Sequence, residues 1–414
     1  MTKTAISDGP AALVLTAGGA RGAYQAGVLK RISQIPALRG RPLPFRIVTG
    51  ASAGAINGAA VAAFASDFEV GAERLAVLWA GLGVTDVFRT DLKALARGGG
   101  RLAIDLALGG LIGGGRAESL FDASPLRDFL GRHLPMEGVA AGIREGHLDA
   151  LAVTATGYHS GKAFTFVQGR EGLPLWNKRR RVALPTTLSV DHIRASAAIP
   201  IVFPPVPLAV RGMVTYFGDG ALRLTTPLSP AIRLGAGRLL SIGVRCPETA
   251  DRLLSVELAA DGHVLPAPGR PPLAQVCGVF LNAIFLDHLD ADIDHLHRMN
   301  ALVAAQGAPG FTAATPAQEP MRPIAALSIS PSADIAVMAR TLEHRLPRHV
   351  RYLMSGLGTP DAQSADLASY LLFDRAFTRD LIALGMRDAQ VRIDEIEAFL
   401  CEGVADRRES AAVQ

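Results

Sequence analysis

The chain reads as an α/β protein built on parallel strands. Residues 11–16, AALVLT, have the short continuous apolar run of a buried strand. They lead through a glycine loop, AGGARG, into residues 23–35, which carry helical periodicity. Residues 45–49, FRIVT, read as a second strand that opens into a serine between two glycines and then an alanine-rich helix at roughly 53–66. Strand–loop–helix followed by strand–turn–helix is how a sheet of parallel strands begins, because parallel neighbours need a crossover between them.

Pro36 stops the first helix, and a polar, proline-marked loop precedes the second strand. The small side chains of 51–63 predict a helix packed closely on its neighbours, and residues 69–82 read as another helix. Residues 97–115, RGGGRLAIDLALGGLIGGG, mix glycine clusters with leucines. Two readings stand for them, a mobile lid or interfacial segment and an ordinary buried turn–helix–turn. A helix is expected over 124–134, with Ser124 as its N-cap and Pro125 at the first position. Residues 148–156 and 163–167 alternate like strands, and 239–244 reads as a buried strand. A long helix is expected over 273–300, a loop over the Ala/Gly/Pro-rich 301–323, and a mainly helical tail over about 331–403. The apolar stripe of that tail, Val391, Ile393, Ile396 and Phe399, favours packing on the core over docking to a membrane or a second copy.

Composition excludes several classes. With 42 basic against 38 acidic residues the chain lacks the dominant basic stripe of a nucleic-acid binder. Its main basic run, Lys178-Arg179-Arg180-Arg181, reads first as a solvated loop and second as a contact for anionic lipid. Cys246, Cys277 and Cys401 are odd in number and far apart, so they form neither a disulfide framework nor a zinc pattern. They suit a reducing compartment. The first residues lack a signal-peptide pattern, and no run reaches the roughly 18–20 apolar residues of a membrane span. The expectation is a soluble, cytoplasmic protein, at most peripheral to a membrane.

Three motifs carry chemistry. Gly50-Ala51-Ser52-Ala53-Gly54 fits a nucleophile elbow, in which flanking glycines permit a sharp turn and Ser52 stands beside a helix N-terminus. The loop Ala17-Gly18-Gly19-Ala20-Arg21-Gly22 can aim backbone N–H groups at an oxyanion or a phosphate. A dinucleotide fingerprint is its rival, but that needs an acid about 20 residues on, and no Asp or Glu lies between Asp8 and Asp67. Only an NADP variant using Arg39 or Arg41 keeps that reading open. No histidine precedes His133, which disfavours the Ser-His-Asp arrangement of α/β-hydrolases. Phe217-Gly218-Asp219-Gly220-Ala221 places an aspartate between glycines, where it serves either turn or chemistry. Upstream of it runs Ala195-Ser196-Ala197-Ala198-Ile199-Pro200-Ile201-Val202-Phe203-Pro204-Pro205.

The glycine loop, the GASAG elbow, the ASAAIPIVFPP segment and the Asp-Gly-Ala turn, in that order, resemble the patatin-like phospholipases over roughly residues 11–245. The resemblance implies a three-layer α/β/α patatin-like sheet, with a catalytic domain over 1–250 and a mainly helical extension over 251–414 packed on it. It implies Ser52 as nucleophile and Asp219 as its dyad partner, with Gly18, Gly19, Ala20 and Arg21 on the oxyanion loop and Gly50 and Gly54 shaping the elbow. It also implies a lipid or phospholipid partner, and neither metal nor organic cofactor. Two positions depart from the family pattern. Ala17 stands where the loop commonly has its first glycine, and Ala221 where the aspartate turn often has its second.

A carboxyl of ordinary pKa near 4 is a weak base for a serine proton, so apolar burial of Asp219 is expected, with Tyr216, Phe217 and Leu222 as the wall. Ala53 N–H is a further oxyanion donor. Arg21 reads as a structural anchor of its loop, with a lipid phosphate as the second reading. His288, Asp292 and His295 share one helical face that could hold a metal, but the opposing leucine stripe favours a solvated polar face. The function expected is a phospholipase A or lysophospholipase. An acyltransferase working through the same acyl-enzyme and a noncatalytic lipid-binding protein are the alternatives, and the tail could support a homodimer.

Overall fold

Among the described residues, nine strands join in one mixed sheet, ordered β5-β4-β3-β2-β1-β8-β9, with β7 branching from β3 and β6 pairing β7. They are β1 Ala11–Leu15, β2 Ile47–Ala51, β3 Ala150–Gly157, β4 Lys162–Gly169, β5 Arg181–Pro185, β6 Val206–Val210, β7 Met213–Gly218, β8 Arg238–Ile242 and β9 Ala325–Ile329. The computed structural model describes residues 9–89, 119–247, 273–285, 288–305, 322–348, 351 and 365–401. Strands β3, β2, β1, β8 and β9 run parallel, whereas β4 meets β3 antiparallel.

The central strands β1, β2 and β8 are buried along their whole length, which is why they read as unbroken apolar runs. Their side chains divide between two cores, as the twofold period of a strand requires. Leu13, Leu15, Val48, Leu240 and Ile242 face one, and Ala12, Val14, Ile47 and Leu239 face the other. The first core is covered by α1 Gly22–Ser33, α2 Ala53–Ala62 and α3 Phe68–Gly81. The second is covered by the segment Ser229–Arg233 and the helix His288–Ala305. The result is the three-layer α/β/α arrangement expected. The helix Arg375–Val391 closes on α1 through paired glycines. A Cβ on Gly27 would lie 2.1 Å from Ile382 O, and one on Gly385 2.2 Å from Tyr24 O.

Several local expectations change. The second strand begins at Ile47, not 45, and runs through Ala51. The helix at 124 starts on Ser124 itself, and Asp122 Oδ1 accepts its N–H at 2.8 Å, so Ser124 is not the cap. Two helices, Leu273–Phe285 and His288–Ala305, occupy the region expected as one. The second of them extends into the stretch expected as a loop. The basic run divides: Lys178, Arg179 and Arg180 are exposed. Arg181 opens β5 and donates to Thr226 Oγ1 at 2.7 Å and Ser229 Oγ at 2.9 Å. In the tail stripe Ile396 is fully buried while Val391 is exposed. Strand β9 was not foreseen. Segment 97–115 lies outside the described residues. Among the described residues, no helix is long and apolar enough to cross a membrane.

Candidate active site

The long strand β3 brings Ser52 and Asp219 together. One edge of β3 is paired with β4 throughout, from Ala150 to Gly157. The other edge is shared. Parallel β2 pairs with it up to Ala51↔Thr154, and antiparallel β7 arrives at Thr156↔Gly218. Two strands from distant parts of the sequence therefore meet head to head, and the next residue of each is Ser52 or Asp219.

Ser52 has φ 54° and ψ −125° and joins β2 to α2. That positive φ is strained for a side chain other than glycine and marks a sharp elbow. The flanking glycines are required by close approach. A Cβ on Gly50 would lie 2.2 Å from Gly54 O, and one on Gly54 2.2 Å from Leu15 O. Ser52 N donates to Ser196 Oγ at 3.0 Å, and Ser196 Oγ donates to Thr154 O at 2.6 Å. Asp219 N donates to Ala198 O at 2.8 Å, and Thr156 Oγ1 donates to Asp219 O at 2.7 Å. The ASAAIP segment thus braces both halves of the pair.

The Asp219 side chain is completely buried. Its Oδ1 accepts from Ala221 N at 2.9 Å, while Oδ2 is buried without a hydrogen-bond partner. Burial pushes its pKa from 3.8 up to about 7, opposed first by the Ser52 side chain and then by Ala221 N–H. The Ser52 hydroxyl is thus close enough to favour the carboxylate, yet their contact does not meet the geometry of a formed hydrogen bond. The apolar wall differs from expectation. Phe217 is fully buried against Phe164 and Phe166, whereas Tyr216 is exposed and Leu222 only half-buried.

The glycine loop crosses from β1 into α1 with Gly19 at φ 57°. Gly18 O accepts the Arg21 amide at 3.1 Å, so that N–H is spent within the loop. The N–H groups of Gly18, Gly19 and Ala53 have no acceptor among the described residues. Ala20 is buried, and so is Arg21, whose Nε donates to Ser369 Oγ at 2.7 Å. A small open pocket of about 30 Å³ is lined by Gly19, Ser52, Ala53 and otherwise apolar residues, among them Leu82, Leu126, Phe129, Phe203 and Phe373. A larger pocket, about 530 Å³, lies against the second core, does not reach Ser52 and is lined by Arg181, Asp292 and Arg322.

The model of the patatin-like phospholipases matches residues 13–232, more than half of the chain. The chain belongs to the patatin-like phospholipase family. No curated protein matches it. Similar solved structures include VipD from Legionella pneumophila, at 13% identity over 91% of this chain and 67% of that one, with TM-score 0.30. Another is human GIVD cytosolic phospholipase A2 in complex with methyl gamma-linolenyl fluorophosphonate, at 12% over 96% and 60%, with TM-score 0.38. A third is the type III effector ExoU, from Pseudomonas aeruginosa, at 15% over 87% and 77%, with TM-score 0.27. Membership of the family rests on the match over 13–232.

Both departures from the patatin-like pattern sit where alanine is at ease. Positive φ among non-glycine described residues is confined to Ser52, Ile201 and Arg211, so Ala17 and Ala221 carry no left-handed strain. The glycine kept in the aspartate turn is the constrained one, since a Cβ on Gly220 would lie 2.0 Å from Thr154 O. Thr156 and Ser369 brace the candidate site without any local mark in the sequence, because their partners lie far away in the chain. Ser196 lies in the segment singled out as a motif, but its bond to Ser52 N–H was not foreseen. The His288/Asp292/His295 face is not simply solvated, since Asp292 Oδ2 accepts Leu228 N at 2.8 Å. Among the described residues, no group of three or more His, Cys, Asp or Glu could hold a metal.

Proposed function

We propose that this patatin-like phospholipase is a serine lipid acyl hydrolase of phospholipase A or lysophospholipase type, working through a Ser52–Asp219 dyad. The observation that carries the reading is the fully buried Asp219 carboxyl, pushed up to about 7, with a partnerless Oδ2 beside a serine held at an elbow. A base poised near the working pH is what a serine hydroxyl needs, since the free hydroxyl is a poor nucleophile.

Ser52 Oγ attacks the acyl carbonyl carbon, and its proton passes to Asp219 Oδ2. The carbonyl oxygen gathers negative charge and is received by the N–H groups of Gly18, Gly19 and Ala53. One such donor is typically worth about 2.7–4 kcal/mol in the transition state. Collapse breaks the ester bond, and the leaving alcohol takes the proton from Asp219. Water then attacks the acyl-enzyme with Asp219 again accepting the proton; the bond from Ser52 Oγ to the acyl carbon breaks, Ser52 Oγ takes that proton back from Asp219, and the fatty acid departs. The apolar cavity beside Ser52 suits an acyl chain and gives a charged head group nothing to pair with, so the head group faces outward.

Wild type, Ser52→Ala and Asp219→Asn are to be compared on a medium-chain p-nitrophenyl ester and on phosphatidylcholine. Loss of turnover by 10³-fold or more in both folded variants is the expected order of magnitude. Full activity in Asp219→Asn would remove the dyad.

A further inference from the structure

The residues that hold the glycine loop come from the far end of the chain. The helix Ala365–Leu371 lies against the short turn Gly19–Arg21. Arg21 Nε donates to Ser369 Oγ at 2.7 Å inside the core, and the guanidinium stacks 4.5 Å from the centre of the Tyr370 ring. The backbone of Tyr370 presses on Gly19, where a Cβ would lie 2.4 Å from Tyr370 O. Tyr370 is in turn tied to the helix Leu273–Phe285 through its hydroxyl, which donates to Asn282 Oδ1 at 3.0 Å. Three residues beyond Tyr370, Phe373 shares the pocket with Gly19 and Ser52.

We propose that residues 369–373 complete the catalytic site: Ser369 and Tyr370 position the oxyanion loop through Arg21 and Gly19, and Phe373 shapes the acyl cavity. This rests on the reading of Ser52 as nucleophile and of Gly18 and Gly19 as oxyanion donors. A glycine-rich loop is conformationally loose by itself. Its donors stabilise an oxyanion only if they are fixed before the charge develops, because reorganisation during the reaction would cancel the gain. Among the described residues, the loop is held from outside by the Arg21–Ser369 hydrogen bond, the Arg21–Tyr370 stack, and the backbone contact at Gly19. Arg21 is accordingly a positioning residue. Its guanidinium is directed into the 369–370 clamp, which leaves the second reading, contact with a lipid phosphate, without support. Phe373 is a specificity residue, because it borders the space that the acyl chain would fill.

The test uses the full chain with Ser369→Ala, Arg21→Gln, the double variant, and Phe373→Ala. Ser369→Ala is expected to lower kcat by about tenfold to a hundredfold, as small misplacements of catalytic groups do, with KM within about twofold. Its pH midpoint should be unchanged, because Asp219 is untouched. In the Arg21→Gln background the same substitution should add almost nothing, since the two side chains act as one unit. Phe373→Ala should shift the ratio of decanoyl to butyryl ester turnover several-fold. Amide exchange over residues 16–22 should quicken in Ser369→Ala while exchange in β1 and α2 stays as in wild type. Additive effects of the two substitutions, or unchanged exchange over 16–22, would overturn the proposal whatever the substrate is. Quickened exchange in a protein that turns over no ester would keep the clamp and remove the catalytic reading instead.

Discussion

Asp219 carries the sharpest predictions. As the proposed base it must be ionised to act, so kcat/KM is expected to climb about tenfold per pH unit below about 7 and level off above it. The same burial costs stability. The folded state holds the Asp219 proton more tightly than the unfolded chain, so stability is fully present below about 3.8 and falls as pH rises to about 7. Asp219→Asn removes that loss. Its unfolding free energy in urea should match wild type near pH 4 and exceed it at pH 8, by at most about 4 kcal/mol. A variant that is inactive yet more stable is the signature of a strained catalytic group. Ser52 should behave similarly. At φ 54°, Ser52→Gly should be more stable than Ser52→Ala by about 1–3 kcal/mol in denaturant unfolding. Both residues were legible in the sequence because their signals are local: a serine or aspartate between glycines states its own turn. The segment around Ser196 was legible as a motif, but the role of Ser196 was not, because its bond to Ser52 N–H spans 144 positions.

Helices that read as plainly apolar conceal a polar network that holds the layer beneath the site. Asn57 on α2 donates to Gly22 O at 2.9 Å and Gln25 Oε1 at 2.8 Å, and accepts from Trp79 Nε1 at 2.7 Å. Gln25 in turn donates to Thr16 O at 3.0 Å and Ile242 O at 2.9 Å, tying α1 to the ends of β1 and β8. Asn57→Leu strands three buried groups and should cost about 3 kcal/mol or more by urea unfolding. Gly385→Ala drives a Cβ into Tyr24 O and should cost about 1–3 kcal/mol, with α1 and the C-terminal helix Arg375–Val391 loosened together. β1 was readable as an unbroken apolar run, α1 from its helical period and α2 from its run of small side chains. Strand β7 was not, because Met213, Val214 and Tyr216 are all exposed and give it no buried face to announce. Strand β9 is five residues of small and apolar side chains within a region otherwise helical, and only its pairing with β8 defines it.

Over the whole molecule, the sheet gathers four stretches of the matched region into the candidate site, beside the proposed contribution of residues 369–373. Residues 17–22 and 50–54 follow parallel neighbours β1 and β2. Residues 196–198 brace the elbow and the aspartate from one side. Residue 219 follows β7, which takes over the edge of β3 where β2 ends. The order of these motifs was visible in the sequence, and the match over 13–232 places them in one family. Their meeting point was not visible, because it depends on β3 serving two partners on one edge. The central claim is that Ser52 is activated by a buried carboxyl. It is tested most directly by following phosphonylation of the wild type with a fluorophosphonate, mapping the modified peptide at each pH. The account predicts an adduct on Ser52 whose rate of formation rises with pH to a plateau with a midpoint near 7. An adduct on another residue, or a rate on Ser52 that stays flat between pH 5 and pH 8, would contradict it.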